Sequence, residues 1–183
     1  MKKDFLVIFT LVLLAAVLIM GTDFQSVDEY YLTHISDIKE DSYTVTLTIS
    51  CKEALENYDR LDEALKNEKY VPSDGFILKP TKYVLRKGDT AFDVLYRAAR
   101  YNRIQLEFQG AEKNSFGSNY IKGINYLYEF SCGENSGWIY TVNGVPPNFG
   151  CSQYVLKDGD KLDFVYTCSL GASVLDFNQT AGE

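Results

Sequence analysis

The densest run of side chains with chemical potential lies between Tyr126 and Cys151. It holds the single tryptophan, Trp138, with Tyr140, Phe149, Ser136, Asn143, two cysteines and the pair Pro146-Pro147. Aromatic rings separated by glycine turns make a stiff platform that costs little to order, which suits a large flat ligand. The same pattern also reads as structure: Trp138 and Tyr140 share one face of a strand and fill a core, and Asn143 is a turn residue. A second set is acidic. Glu129, Glu134, Asp158, Asp160 and Asp163 offer the carboxylates that a glycosidase pairs as acid and base. Most of them stand in or beside turn signals, where carboxylates are ordinarily solvated. The Gly-Asp turns also lack the D-x-D-x-D-G run of a calcium loop.

One histidine, His34, serves the whole chain, so a Ser-His-Asp or Cys-His set and most zinc sites would have to be built on it. It lies in an acidic stretch and reads as solvated. No C-x-x-C pair stands among Cys51, Cys132, Cys151 and Cys168. The composition therefore argues against conventional hydrolase chemistry, against a metal site and for a chain that is not an enzyme. With 18 basic against 25 acidic residues and a net charge of −7, a basic footprint for a phosphate backbone is missing, and nucleic acid is not an expected partner.

These residues need elements to hold them. Hydrophobic residues are 46% of the 183, and about 160 residues beyond the N-terminus suffice for one real core. Tyr43, Val45, Leu47, Ile49 and Cys51 alternate along a first strand. Ser50 and Glu53 form an S-x-x-E capping pair, and Leu55, Tyr58, Leu61 and Leu65 follow at helical spacing, predicting a helix of about three turns. Ile77–Leu85 reads as a strand that Pro80 consigns to an edge or a bulge. Thr90 and Asp93 cap a second helix with Phe92, Leu95 and Ala99 on its inner stripe. Strands are expected over 104–108, 120–130 and 137–142, the last ending at the turn Asn143-Gly144. Leu162, Phe164, Tyr166 and Cys168 alternate along a final strand.

The heptads Tyr83-Val-Leu-Arg-Lys-Gly-Asp89 and Tyr154-Val-Leu-Lys-Asp-Gly-Asp160 are nearly alike, 71 residues apart. Their surroundings differ, so they share turn chemistry without marking a duplicated domain. The fold class is α+β: a mixed sheet wrapped around one or two helices, preceded by an N-terminal hydrophobic helix.

Lys2 and Lys3 precede Phe5–Gly21, 17 residues of which Thr10 alone is polar. Such a segment directs export, as a signal peptide or as an uncleaved membrane anchor. Residues 1–21 are thus the targeting segment, 22–41 an acidic stalk, 42–170 the domain and 171–183 a tail. The expected location is the outer face of the cell membrane or the medium. In an oxidising compartment, four cysteines suggest two disulfides with three possible connectivities.

Ser136-Gly-Trp-Ile-Tyr140, Val142-Asn-Gly144, Pro147-Asn-Phe-Gly150, Leu156-Lys-Asp-Gly-Asp160 and Phe164-Val-Tyr-Thr167, with Asp74-Gly75 and Gly88-Asp-Thr90 upstream, resemble the C-terminal domain of transcobalamin and intrinsic factor. They resemble more closely the exported single-domain versions of that module, largely from Gram-positive bacteria, and the likeness covers about residues 43–170. The resemblance implies a β-grasp-like fold and cobalamin, or another corrinoid, as a non-covalent ligand. It makes Ser136, Trp138 and Tyr140 on the hairpin and Asn143 and Phe149 on the following loop the ligand-facing residues, with Trp138 and Tyr140 against the corrin face and Ser136 and Asn143 hydrogen-bonding its amides. The helical domain that holds most of the corrinoid in the animal carriers has no counterpart here, so a partner such as an energy-coupling-factor type importer or another surface protein is implied. Through the grasp topology it also implies the pairing Cys51–Cys168 and Cys132–Cys151, the latter closing a loop worth about 3 kcal/mol. The competing reading is a cell-surface interaction or adhesion module without a small ligand; an exported enzyme is a third.

Overall fold

The computed structural model describes residues 8–10, 12–13, 38–169 and 171–172. His34, most of the stalk and nearly all of the tail lie outside them, as does most of the N-terminal apolar run, whose five described residues are helical. Among the described residues no helix is long and apolar enough to cross a membrane.

Strand β1 (Thr44–Ser50) forms where the alternation predicts it, with Val45, Leu47 and Ile49 buried and Tyr43 left outside. Strand β7 (Lys161–Thr167) repeats the pattern with Leu162, Phe164 and Tyr166. The two pair in parallel, Thr46 opposite Lys161 and Ser50 opposite Val165. Strand β2 (Phe76–Val84) joins antiparallel outside β1, and β6 (Gly137–Val142) joins antiparallel outside β7, giving the order β2-β1-β7-β6. A central parallel pair between antiparallel edges is the β-grasp arrangement. Pro80 sits in β2, an edge strand, where its missing N–H costs no ladder bond.

Helix α2 (Ala91–Tyr101) is the helix in the grasp. Thr90 caps it: its hydroxyl accepts from the Asp93 N–H while the Asp93 carboxylate accepts from the Thr90 N–H, closing the box the sequence implies. Phe92, Val94, Leu95 and Ala98 are buried in one core with Leu47, Ile49, Leu162 and Phe164. Each large side chain buried there contributes about 2 kcal/mol. A second sheet of β3 (Leu106–Gln109), β4 (Tyr120–Ile124) and β5 (Leu127–Tyr128) lies in the order β3-β4-β5.

Three expectations change. The first predicted helix is only α1 (Lys52–Glu56), followed by two 3₁₀ turns at Tyr58–Arg60 and Glu63–Leu65. Its supposed cap is used elsewhere: Ser50 donates to the Gly75 carbonyl, and Glu53 accepts from the Cys168 N–H and the Thr167 hydroxyl. Those bonds to the end of β7 outweigh local helix propensity. The expected strand over 120–130 is instead a hairpin, because Asn125 and Tyr126 both take positive φ, 53° and 66°. The turn is held from outside it, by Asn125 donating to the Lys69 and Tyr70 carbonyls and Tyr126 donating to Gln105.

The cysteines are the third correction. All four are buried free thiols, so neither Cys51–Cys168 nor Cys132–Cys151 is bonded. Cys151 belongs to the main core, whereas Cys132 shares a smaller cluster with Cys51 and Cys168. Within that cluster the Cys132 N–H donates to Ser136, its thiol donates to the Asn57 carbonyl at 3.5 Å, and Ser136 in turn accepts from the Tyr166 hydroxyl of β7.

The two like heptads meet in space. Ala91 donates to the Tyr154 carbonyl, Leu156 donates to the Asp89 carbonyl, and Thr90 bridges Val155. In each, a glycine at positive φ (Gly88 at 85°, Gly159 at 80°) lets the following Asp accept the N–H three residues back: Arg86 to Asp89 at 2.7 Å, Lys157 to Asp160 at 2.8 Å. Their second bonds differ. Asp89 also takes a two-pronged ion pair from Arg97, both side chains nearly buried, whereas Asp160 takes one amide bond from Asn143.

Two outcomes are expected. Asp89→Ala strands the Arg97 charge and should cost about 3 kcal/mol, against about 1 kcal/mol for Asp160→Ala, in urea unfolding at pH 7; equal losses would contradict the distinction. Burial pushes the Cys51 thiol up to about 12 and Cys151 up to about 11, and pushes Cys168 up as well with help from Cys132. The reduced folded chain should therefore resist Ellman's reagent at pH 8 until denatured. Oxidation with diamide should yield a Cys132–Cys168 peptide, with none joining Cys132 to Cys151.

Candidate functional site

Strand β6 alternates, so Trp138 and Tyr140 point to one face, opposite Tyr166 and Phe164 of β7. The Trp138 ring meets Tyr166 edge-on at 5.3 Å between centroids, and Tyr140 stacks on Phe164 at 5.8 Å. Both polar ends are tied down: the Trp138 indole N–H donates to the Leu127 carbonyl at 2.8 Å, and the Tyr140 hydroxyl donates to the Phe149 carbonyl. Because β6 is an edge, the outer sides of the two rings stay half-buried and line a groove of about 140 Å³. The opposite wall is Asn119, Tyr120 and Ile121 of the second sheet, with Gly150 and Cys151 closing one end. Such a groove is smaller than the roughly 300–1,000 Å³ of an enclosing pocket, so it offers one face to a ligand that extends beyond it.

Two loops bound to each other form the rim. Ser118 and Ser152 share a hydrogen bond at 2.9 Å, Asn119 donates to Ser152, and Gln153 donates to the Gly117 carbonyl. The loops approach so closely that a Cβ on Gly150 would stand 2.0 Å from the Ser118 hydroxyl. From this clamped rim Phe149 projects with 64% of its surface exposed and Phe116 with 76%.

The structure thus brings Trp138 and Tyr140 into one groove, with the Phe149 carbonyl bonded to the Tyr140 hydroxyl and the Phe149 side chain exposed outside the lining. Ser136 and Asn143 have internal partners. Ser136 is buried, accepts from the Cys132 N–H and the Tyr166 hydroxyl, and donates to the Gly133 carbonyl. Asn143 holds its turn at φ 54°, donating to Asp160 and accepting from the Lys161 N–H. Asn119 and Tyr120 carry no motif of their own; they reach the groove because the second sheet packs beside β6. Of the carboxylates, Asp158 accepts the Thr44 N–H, Asp160 closes its turn, and Glu129 accepts from the Tyr120 hydroxyl at 2.7 Å. Among the described residues no group of three or more His, Cys, Asp and Glu gathers as a metal site would need.

Burial raises the tyrosines of this region. Tyr166 is pushed up to about 12, Tyr120 to about 12 with a further push from Glu129, and Tyr140 upward as well. They work as neutral hydrogen-bond donors.

The profile of a domain family of unknown function, DUF4430, matches residues 88–167. No curated protein matches. Among solved structures the chain is similar to haptocorrin in complex with Cbi, at 15% identity and a TM-score of 0.48, over 73% of this chain and 27% of that one. It is also similar to a protein from Ruminococcus gnavus titled as metal-binding, at 14% identity and a TM-score of 0.42, over 68% of this chain and 96% of that one. The chain spans about a quarter of the haptocorrin chain.

A group whose pKa is higher folded than unfolded adds stability below its unfolded value and loses it as pH rises towards the folded one. Stability should accordingly fall between about pH 10 and 12 as these tyrosines ionise in the unfolded chain. Urea unfolding at pH 8 and pH 11 tests this. Tyr166→Phe should show a smaller drop between the two; an undiminished drop would remove Tyr166 from the account.

Proposed function

We propose that this protein is a non-catalytic ligand-binding module, exported to the outer face of the cell membrane, that takes a corrinoid such as cobalamin on the Trp138–Tyr140 groove. One observation carries the reading: two adjacent rings on an edge strand have their polar ends bonded internally and their outer sides open, beside a clamped rim that exposes Phe149. A flat ring system laid there would cover apolar surface at little ordering cost, because the rings are already held by Tyr166 and Phe164. The choice of a corrinoid rests on the ordered motifs from Ser136 to Thr167 and their resemblance to the transcobalamin C-terminal domain. A groove of this size contacts one face, so delivery to or from a partner such as a membrane importer belongs to the same proposal.

The exposure of Phe116 and Phe149 also favours a second reading, in which the rim meets another surface protein and no small molecule is involved.

Titration of the full chain with cobalamin and cobinamide, by calorimetry and Trp138 fluorescence, separates the two. Saturation below about 10 μM is expected, weakened about fivefold or more by Phe149→Ala, which changes an exposed side chain and leaves the core intact. Neither heat nor quenching up to about 1 mM would overturn corrinoid capture by this chain alone and leave the interaction module.

A further inference from the structure

A second cleft, of about 380 Å³, runs along α2 and is lined by Arg86, Asp89, Phe92, Asp93, Tyr96, Arg97 and Arg100. None of these residues lines the groove on β6. The chain is acidic, at −7, and has five arginines (Arg60, Arg86, Arg97, Arg100 and Arg103), three of which face this one cleft.

The charges in the cleft are not equally committed. Both oxygens of Asp89 are used, by Arg97 and by the Arg86 N–H, and the Asp93 carboxylate accepts the N–H and hydroxyl of Thr90 in the helix cap. Arg97 is spent on Asp89 and on the Val84 carbonyl. Arg100 is different. Among the described residues its side chain has no ion pair or hydrogen bond; its guanidinium lies over the Tyr96 ring, 5.8 Å from the centroid. Tyr96 in turn stacks on Phe92 at 5.9 Å, and Phe108 abuts Phe92 edge-on at 4.7 Å. The cleft therefore combines an uncommitted planar cation with an aromatic wall fixed by its own packing. A guanidinium binds an oxyanion through two parallel N–H donors, and the ring beneath it accepts a planar group by stacking.

We propose that this cleft binds a small planar molecule bearing one oxyanion, a carboxylate or a phosphate, with the anion on Arg100 and the planar body against Tyr96 and Phe92. Its volume falls in the range of small-molecule pockets. This site does not depend on the corrinoid reading, since the two share no residue.

The test uses the full chain and three probes: benzoate, phenyl phosphate and, as a cationic control of similar size, benzylamine. Binding is read by chemical-shift perturbation. Saturable binding of one or both anions, with benzylamine failing to bind, is expected, and the preferred anion tells which oxyanion the cleft takes. Arg100→Gln and Tyr96→Ala alter exposed side chains; each should weaken that binding about fivefold or more while leaving the thermal midpoint and any cobalamin titration unchanged. Binding of benzylamine as tight as that of the anions, no loss in Arg100→Gln, or no saturable shift up to about 10 mM would overturn the proposal.

Discussion

The parallel pairing of β1 with β7 is the contact on which the other features of this domain rest. It joins Thr46–Ser50 to Lys161–Val165, across more than a hundred residues of intervening chain. Nothing local favours such a pairing, and closing so long a loop is entropically unfavourable. What offsets that cost is burial on both sides of the seam: Leu47, Ile49, Leu162 and Phe164 meet α2, while Tyr166 and Cys168 meet Cys51, Ala54 and Leu127 in the second cluster. With the seam made, β6 has an edge to lie on and Glu53 has the end of β7 to bind. The rings of Trp138 and Tyr140 then have Tyr166 and Phe164 to rest against.

The near-identical heptads show how one local device serves two ends. Each Gly-Asp turn satisfies its own backbone, and the two segments are joined by backbone bonds around Thr90 and Val155. Asp89 then spends its remaining capacity on Arg97, which anchors α2, whereas Asp160 spends its capacity on Asn143, which anchors the turn after β6. One turn thus sets the helix that lines the arginine cleft, and the other sets the strand that lines the aromatic groove. The division of labour lies in the second partner of each aspartate, which the heptads themselves do not contain.

The groove and the cleft are built on different physics. Trp138 and Tyr140 have committed their N–H and O–H donors internally, so what these two residues chiefly present is ring surface. In the cleft the aromatic wall is secondary to the Arg100 guanidinium, which has no ion pair among the described residues. Packing of this kind discriminates by shape and area, whereas a guanidinium discriminates by charge and geometry. If both proposals hold, the two surfaces on one small core recognise their ligands separately.

Much of the architecture was legible from period and capping alone. The alternation in β1 and β7, the Thr90–Asp93 box of α2, the edge position of Pro80 and the Asn143-Gly144 turn each depend on residues within a few positions of one another. The sequence by itself also placed Trp138, Tyr140 and Phe149 in one short segment, with local chemistry suited to a rigid platform. Elsewhere the outcome depended on partners far along the chain. Glu53 left its expected cap for Cys168, and Asn125 and Tyr126 turned because Gln105 and the carbonyls of Lys69 and Tyr70 hold them there. Cys132 came to rest beside Cys168, Ser136 was drawn inward by Tyr166, and Tyr120 came to face Trp138 across the groove. In these cases the deciding contact joins residues about twenty or more positions apart, so its energy exists only once the sheets have assembled. No period or motif within the segment can register it beforehand.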